Sequence, residues 1–476
     1  MLFSEPAFLF LFLPLTLASY FAAPRRGRNL VLVVASIVYY VWGEVHFLPY
    51  LAGSIALNYW FAIEIERHRG QPVARRWLIA GLCVDLGLLL VFKYLGFFGD
   101  NFNAMLAWAH QTPLALRRIA LPLGISFFTF HKISYKVDVY RGDAEAKKSV
   151  LDLTLYILLF PQLIAGPIVR YHEIAHQLSV RDERVEDFAF GVQRFIVGLA
   201  KKMLVANSVA MTADRIFSLP PDQCSAAVAW LGALAYSIQL YFDFSGYSDM
   251  AVGLARMFGF TFPENFNYPY IARSITEFWR RWHMTLSRWF KDYLYIPLGG
   301  NRVSSLRLYG NLVTVFFLCG LWHGASWNFV VWGLYHGLFQ VLERLGLGGR
   351  LRTLPAPLQH FYALLVVVVG WVFFRAPSLT HAVQFLGTMF GYPHGVVPFT
   401  HPGAFVDRLA CLALAAGALG ATPLPTAAWR WLARRAETVG EGFRHGLRAA
   451  ALGGLFALCM LFVAADTYNP FIYFRF

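Results

Sequence analysis

Long apolar stretches recur along the whole chain, separated by short polar interruptions. They cover residues 8–23, 30–42, 77–92, 119–130, 151–164, 228–238, 361–374, 409–421 and 449–465. A helix that crosses a bilayer needs about 20 mainly apolar residues. Several runs reach or approach that length, and the shorter ones suit helices that are re-entrant or buried by neighbours. The pattern predicts an all-α polytopic membrane protein with roughly eleven to thirteen membrane helices. No repeat and no low-complexity tract divides it, so one integral-membrane domain is expected over 1–476.

Two stretches break the pattern. Residues 170–186 are polar and amphipathic. Residues 265–300 mix aromatics with charges, as in Glu277-Phe278-Trp279-Arg280-Arg281-Trp282-His283 and Arg288-Trp289-Phe290-Lys291-Asp292-Tyr293. At helical spacing Phe278, Trp282, Trp289 and Tyr293 share one side, with Arg280, Arg281, Arg288 and Lys291 nearer water. That predicts a helix lying in the membrane interface or dipping in from it. Pro297-Leu298-Gly299-Gly300-Asn301 then reads as a turn. The region 265–335 is the natural place for a site.

Composition strengthens the membrane reading. Hydrophobic residues make up 58% of the chain and charged ones only 14%, well below the usual ~25%, which excludes a soluble protein with a single core. The formal charge of +14 needs no nucleic acid, because the basic residues cluster between apolar runs, at Arg25-Arg26, Arg28, 67–76, 141–148 and 430–448. The positive-inside rule puts those loops in the cytoplasm. Parity then places both termini in the periplasm, although Arg117-Arg118 fits this scheme poorly. Glu5 stands where a signal peptide has its basic region, and no small-residue cleavage site follows, so 8–23 is expected as a retained first span. The five cysteines form no CxxC pair and read as small core residues.

Candidate chemistry centres on His323, in Cys319-Gly320-Leu321-Trp322-His323-Gly324-Ala325 between two apolar runs. An ionisable group at membrane depth is costly and marks function by default, and histidine suits proton transfer near neutral pH. The alternative is a structural histidine bonded to a carbonyl. Trp322 offers a flat wall. His283, forty positions earlier, could orient His323, bind substrate or share a proton, or else be solvated at the interface. His172-Glu173-Ile174-Ala175-His176 matches the short H-E-x-x-H zinc pattern, but it lies in a charged stretch with no third ligand motif, so no metal is expected. Asp243 and Asp249 could line a polar path, or pair with arginines of the interfacial stretch. The tail over 466–476, with Tyr473 in Pro470-Phe471-Ile472-Tyr473-Phe474-Arg475-Phe476, is an aromatic anchor or something more. On these grounds an enzyme and a transporter with His323, His283 and Asp243 lining its path both stand.

Two segments decide between them. Leu321-Trp322-His323-Gly324-Ala325 and Thr276-Glu277-Phe278-Trp279-Arg280-Arg281-Trp282-His283 resemble the paired histidine segments of membrane-bound O-acyltransferases. The likeness is closest to the bacterial polysaccharide branch, that of alginate O-acetylation. Supporting stretches include 122–130, Val137-Asp138-Val139-Tyr140-Arg141-Gly142, 160–167, 241–250 and 292–302. Most of the weight lies between 122 and 335. The resemblance implies a ring-like helical fold around a central funnel, with His323 as the essential histidine and His283 at the second family position. It also implies an acyl donor from the cytoplasm, acetyl-CoA as co-substrate with no bound cofactor, and an acceptor outside. Arg280, Arg281 and Lys291 are then candidate donor-phosphate contacts, with Trp322 and Asp243 as further donor- or substrate-binding residues. The tail is similar to the C-terminal signature of the helper protein in D-alanylation of teichoic acids, whose tyrosine hydroxyl is proposed to carry the acyl group. The expected function is acetyl transfer across a bacterial inner membrane for O-acetylation of an exported polysaccharide. His323 would be the general base, Tyr473 a relay, and a periplasmic serine esterase-like acetyltransferase the partner.

Overall fold

The computed structural model describes residues 1–115, 119–392, 401–435 and 440–465. Among them every regular element is helical. The chain packs as two compact units, one of Met1–Gly191 with Ala251–Pro263, the other of Val192–Met250 with the chain from Glu264 onward. The first unit contains α1 (Leu13–Ala22), α2 (Arg28–Glu44), α3 (Leu48–Arg67), α4 (Pro72–Leu89), α5 (Leu95–Trp108), α6 (Ile125–Arg141), α7 (Val150–Leu158), α8 (Phe160–Leu163) and α9 (Tyr171–Ile174). α10 (Val185–Ala200) leads into the second unit, which holds α11 (Asn207–Phe217) and most of α12 (Ala226–Met257). Then come α13 (Ile275–Trp279), α14 (Met284–Phe290), α15 (Ser305–His323), α16 (Trp327–Leu342), α17 (Gly348–Thr353), α18 (Ala356–Arg375) and α19 (Leu379–Met389). α20 (Arg408–Gly420), α21 (Leu424–Arg435) and α22 (Glu441–Ala464) complete the described helices.

Among the described residues, six helical stretches are long and apolar enough to cross a membrane: Arg25–Arg67, Pro72–Trp108, Val185–Phe217, Ser305–His323, Ala356–Arg375 and Glu441–Ala464. A seventh arises if α20 and the start of α21, bent by 75° at their junction, form one broken span. These stretches are not counted as the apolar runs are, since Arg25–Arg67 holds both α2 and α3 and Pro72–Trp108 both α4 and α5, and a run is not always one helix. Residues 151–164 split into α7 and the one-turn α8, with Pro161 inside the first turn of α8; proline restricts the residue before it and cannot continue a helix from there. The run 119–130 enters its helix only at Ile125. Gly124 sits there at φ 74°, and a Cβ would lie 2.5 Å from the Leu163 carbonyl oxygen.

α6 is the centre of the first unit. Thirteen of its 17 residues are buried, so it meets protein on nearly every side and packs on α3 and α4. It brings two fully buried lysines to one fully buried aspartate. Lys132 Nζ lies 3.1 Å from Asp85 Oδ1 and donates to Ser54 Oγ at 2.7 Å. Lys136 donates to Asp85 Oδ2, to Asn58 Oδ1 at 2.6 Å and to the Gly81 carbonyl at 2.9 Å. Asn58 in turn donates to Asp85 at 3.0 Å.

In the second unit α15 and α16 form a hairpin with a three-residue link. The helices meet backbone to backbone, since a Cβ at Gly320 would stand 2.2 Å from the Phe329 carbonyl oxygen and one at Gly333 2.2 Å from that of Phe316. Small residues permit such approach between membrane helices. The expected single interfacial helix over 278–293 is instead two short helices. The chain breaks at His283, whose φ of 42° is left-handed and incompatible with helix continuation.

Candidate functional site

His323 is the last residue of α15, and its side chain is buried. Its ring lies against Trp322 at 4.9 Å, Trp332 at 5.0 Å and Phe374 at 5.1 Å between centroids, each nearly edge to face. Trp332, from α16, stacks on Trp371 of α18 at 6.0 Å. Trp371 touches Trp282 at 4.9 Å, and Trp279 touches Trp332 at 5.7 Å. Four helices thus contribute to one aromatic enclosure, with His323 at the end of the helix that closes it. Trp322 lies 6.2 Å from the His283 ring as well, so the same indole contacts both histidines.

His283 is held by the segment around Asn265. Backbone hydrogen bonds flank it: the Met284 N–H donates to the Asn265 carbonyl at 2.9 Å, and the Asn267 N–H to the Arg281 carbonyl at 2.9 Å. The Asn265 Oδ1 accepts from the Thr285 N–H at 3.3 Å and from the Thr285 hydroxyl at 2.9 Å. A backbone N–H can only donate, which fixes this atom as the oxygen. The Asn265 amide donates to Ser248 Oγ at 3.0 Å. His283 Nδ1, 3.0 Å from the same Oδ1, must therefore carry the hydrogen. Burial pushes the imidazole down to about 3, so it is neutral at physiological pH. Nε2 is left with its lone pair, buried and without a hydrogen-bond partner among the described residues. The left-handed conformation of His283 is strain that the surrounding bonds maintain.

A third histidine was not anticipated. His336 of α16 is fully buried against Trp279 at 5.1 Å and Trp332 at 5.2 Å. Neither of its ring nitrogens has a hydrogen-bond partner among the described residues, and the same holds for the indole N–H groups of Trp279 and Trp332. His336 stands in an apolar run, as His323 does, so the rule that flagged one flags the other. Glu343 was also missed. Its buried carboxylate accepts from the N–H of Ile275 at 2.6 Å, the N–H of Thr276 at 2.9 Å and the Thr276 hydroxyl at 2.6 Å. It thereby satisfies the first N–H groups of α13 and fixes the helix that presents Trp279.

The other sequence-predicted residues fall as follows. Arg280 and Lys291 are exposed. Arg281 is bound to Glu277 at 2.9 Å and to the Asn267 carbonyl at 3.1 Å. Asp243 is buried and ion-paired with Lys202 at 2.7 Å. Asp249 meets Arg194 and Lys201, each at 2.7 Å. Both aspartates thus pair with the cations at 194–202 rather than with arginines of the interfacial stretch. In the H-E-x-x-H pattern, His172 Nδ1 is 2.9 Å from Asp138 and Glu173 is 2.7 Å from Arg170, so the motif ties α9 to α6 and caps its own first turn. Tyr473 lies outside the described residues.

A sequence profile for the membrane-bound O-acyltransferase family matches residues 125–382. The chain is 42% identical to a protein of Azotobacter vinelandii named probable alginate O-acetylase, over 100% of both chains. It is 39% identical to the peptidoglycan O-acetyltransferase of Helicobacter pylori, over 82% of this chain and 80% of that one. It is 31% identical to the teichoic acid D-alanyltransferase of Bacillus subtilis, over 45% of this chain and 57% of that one.

Proposed function

The chain belongs to the membrane-bound O-acyltransferase family, as a multi-pass membrane acyltransferase, and on that premise we propose that it transfers an acetyl group from cytoplasmic acetyl-CoA toward an exported polysaccharide. The observation that carries this reading is His323 closing α15 inside the aromatic enclosure, with Trp322 shared between it and His283. The relatives' names support the reaction class, since all three describe acyl transfer to a polymer. The full-length likeness favours acetyl transfer to an alginate-like exopolysaccharide.

In the proposed step His323 removes the proton of an acceptor hydroxyl. The oxygen attacks the thioester carbonyl, the C–S bond breaks as the C–O bond forms, and the departing thiolate takes the proton back from the imidazolium. Neutral His283 accepts a hydrogen bond at Nε2 from the acceptor or from water. The exposed Arg280 and Lys291 are free to meet donor phosphates, and Arg281, already bound to Glu277, positions that stretch. The first acceptor is Tyr473. A phenol with pKa ~10 deprotonates more readily than an alcohol, and its ester stays activated for onward transfer. A periplasmic serine esterase-like partner then takes the acetyl group to the polymer, at a bacterial inner membrane with both chain termini outside.

The test incubates proteoliposomes with labelled acetyl donor and examines the C-terminal peptide by mass spectrometry. Label on Tyr473, lost in Tyr473→Phe together with transfer to the partner, is expected. An unlabelled tail with transfer intact in Tyr473→Phe ends the relay, while the acyltransferase reading survives if donor turnover still depends on His323.

A further inference from the structure

We propose that the groove between α1 and α2, with the basic cavity at its end, holds one anionic glycerophospholipid. Its phosphate would sit at Arg25 and Arg26 and one acyl chain along α2. Two adjoining cavities of opposite chemistry carry this. The first, of about 470 Å³, is walled by Leu11 and Leu15 on one side and Val31, Val34, Val38 and Trp42 on the other. From Leu30 to Trp42 the helix rises about 18 Å, slightly more than half of the ~30 Å hydrocarbon core. The groove is therefore about as long as one leaflet is deep.

The second cavity, of about 360 Å³, brings together Arg25, Arg26, Arg28 and Arg181 with only Asp152 and Glu183. The linings of the two cavities run on along the chain, from Asn29 in the basic cavity to Leu30 in the groove. Internal bonds account for part of the charge. Arg28 pairs with Glu183 at 2.7 Å, and Asp152 accepts from Asn29 at 2.8 Å. Arg181 donates through Nε to the Tyr20 hydroxyl at 3.2 Å and to the Phe258 carbonyl at 3.1 Å. Those contacts build the wall. Arg25 and Arg26 are exposed and have no ion-pair partner among the described residues, and the buried Nε of Arg28 has no acceptor there.

Guanidinium groups bind phosphate through paired N–H donors. The positive-inside rule explains arginines at the end of a span, but not a leaflet-long apolar groove opening beside them. Inorganic phosphate would use the arginines and leave the groove empty. A phospholipid uses both, and an anionic headgroup answers the unpaired charge.

The test is native mass spectrometry of the full chain released from mixed micelles of palmitoyl-oleoyl phosphatidylglycerol and the matching phosphatidylcholine. One retained phosphatidylglycerol is expected, preferred by roughly tenfold or more, the size of one to two arginine contacts at a membrane surface. The double variant Arg25→Ala/Arg26→Ala should lose the preference, and Val34→Trp, which fills the groove, should lose the retained lipid of either kind. Arg430→Ala/Arg434→Ala, which removes basic charge from α21, should change nothing. Undiminished preference in the Arg25/Arg26 variant overturns the proposal, as does unchanged retention in Val34→Trp. Complete displacement of the lipid by millimolar inorganic phosphate also overturns it, by reducing the site to an anion pocket. A wild-type chain that shows no headgroup preference overturns it outright.

Discussion

Two buried polar regions of this protein solve opposite problems. In the first unit, Lys132, Lys136, Asp85, Asn58 and Ser54 are all sealed from solvent, and the protein itself answers their donors and acceptors. Lys136 has three acceptors for its three N–H bonds. In the second unit, the enclosure around His323 leaves atoms without a hydrogen-bond partner among the described residues: Nε2 of His283, both ring nitrogens of His336, and the indole N–H groups of Trp279 and Trp332. An unmet buried donor or acceptor costs about 1–3 kcal/mol, so a fold keeps such atoms where water or a ligand completes them. The first region is a closed network that holds helices together. The second leaves donors and acceptors open, as the proposed site requires of groups that meet substrate or water.

The contrast can be broken in order of expected effect. His323→Ala should reduce donor turnover by about 100- to 10,000-fold, the range of a lost general base, while insertion and thermal midpoint stay near wild type; substantial turnover in that variant removes His323 from the chemistry. Asp85→Ala should do the reverse. Two buried lysines lose their counter-charge, at a cost of about 3–5 kcal/mol. The loss should appear as falling monodisperse yield and thermal midpoint, with turnover per folded molecule retained, and a normally stable Asp85→Ala protein would contradict the closed-network reading.

Asn265→Ala should sharpen the other side. Without its tautomer-fixing acceptor, His283 is free to rotate, and kcat should fall by up to about 100-fold, as for a reacting group misplaced by an ångström. Asn265→Asp keeps an acceptor for Nδ1–H and should recover part of the rate. Its negative charge favours the imidazolium, so the acidic limb of the pH profile should move to higher pH. A rate drop in both variants without that movement would assign Asn265 to folding alone.

The smallest effect belongs to His172. The hydrogen bond to Asp138 raises its imidazole above the ordinary 6.5. Its protonated form therefore stabilises the fold below that value, and the contribution disappears as pH rises through the folded value. The thermal midpoint of wild type should fall slightly relative to His172→Gln between pH 5.5 and 8. A constant difference across that range would remove the ion pair from the account.

Part of the candidate site was legible because its residues sit in short segments. A histidine between apolar runs, glycines beside it and a tryptophan before it single out His323 as a candidate from local sequence alone. His336 obeys the same rule, but it lies inside α16 rather than at a helix end, and nothing local separates it from a packed core histidine. Asn265 and Glu343 were harder. Each acts through a bond to a residue that is distant in sequence, His283 for one and the first turn of α13 for the other, and no local pattern announces such a pairing. The aspartates show the same limit. That Asp243 and Asp249 needed cations was clear from the cost of buried charge, but which cations was not, and they proved to be Lys202, Arg194 and Lys201.

The sequence by itself determined the class of the molecule and put its candidate histidines forward. Burial of apolar side chains and hydrogen bonding within a helix are local necessities in a bilayer, so they are written in consecutive residues. Tertiary structure alone decided which apolar runs become unbroken helices, where the interfacial stretch breaks, and which polar atoms are answered. Those outcomes depend on close approach between distant segments, as at Gly320 against Phe329 or Asn265 against His283. Such pairings are set by packing in three dimensions, and a one-dimensional pattern does not encode them.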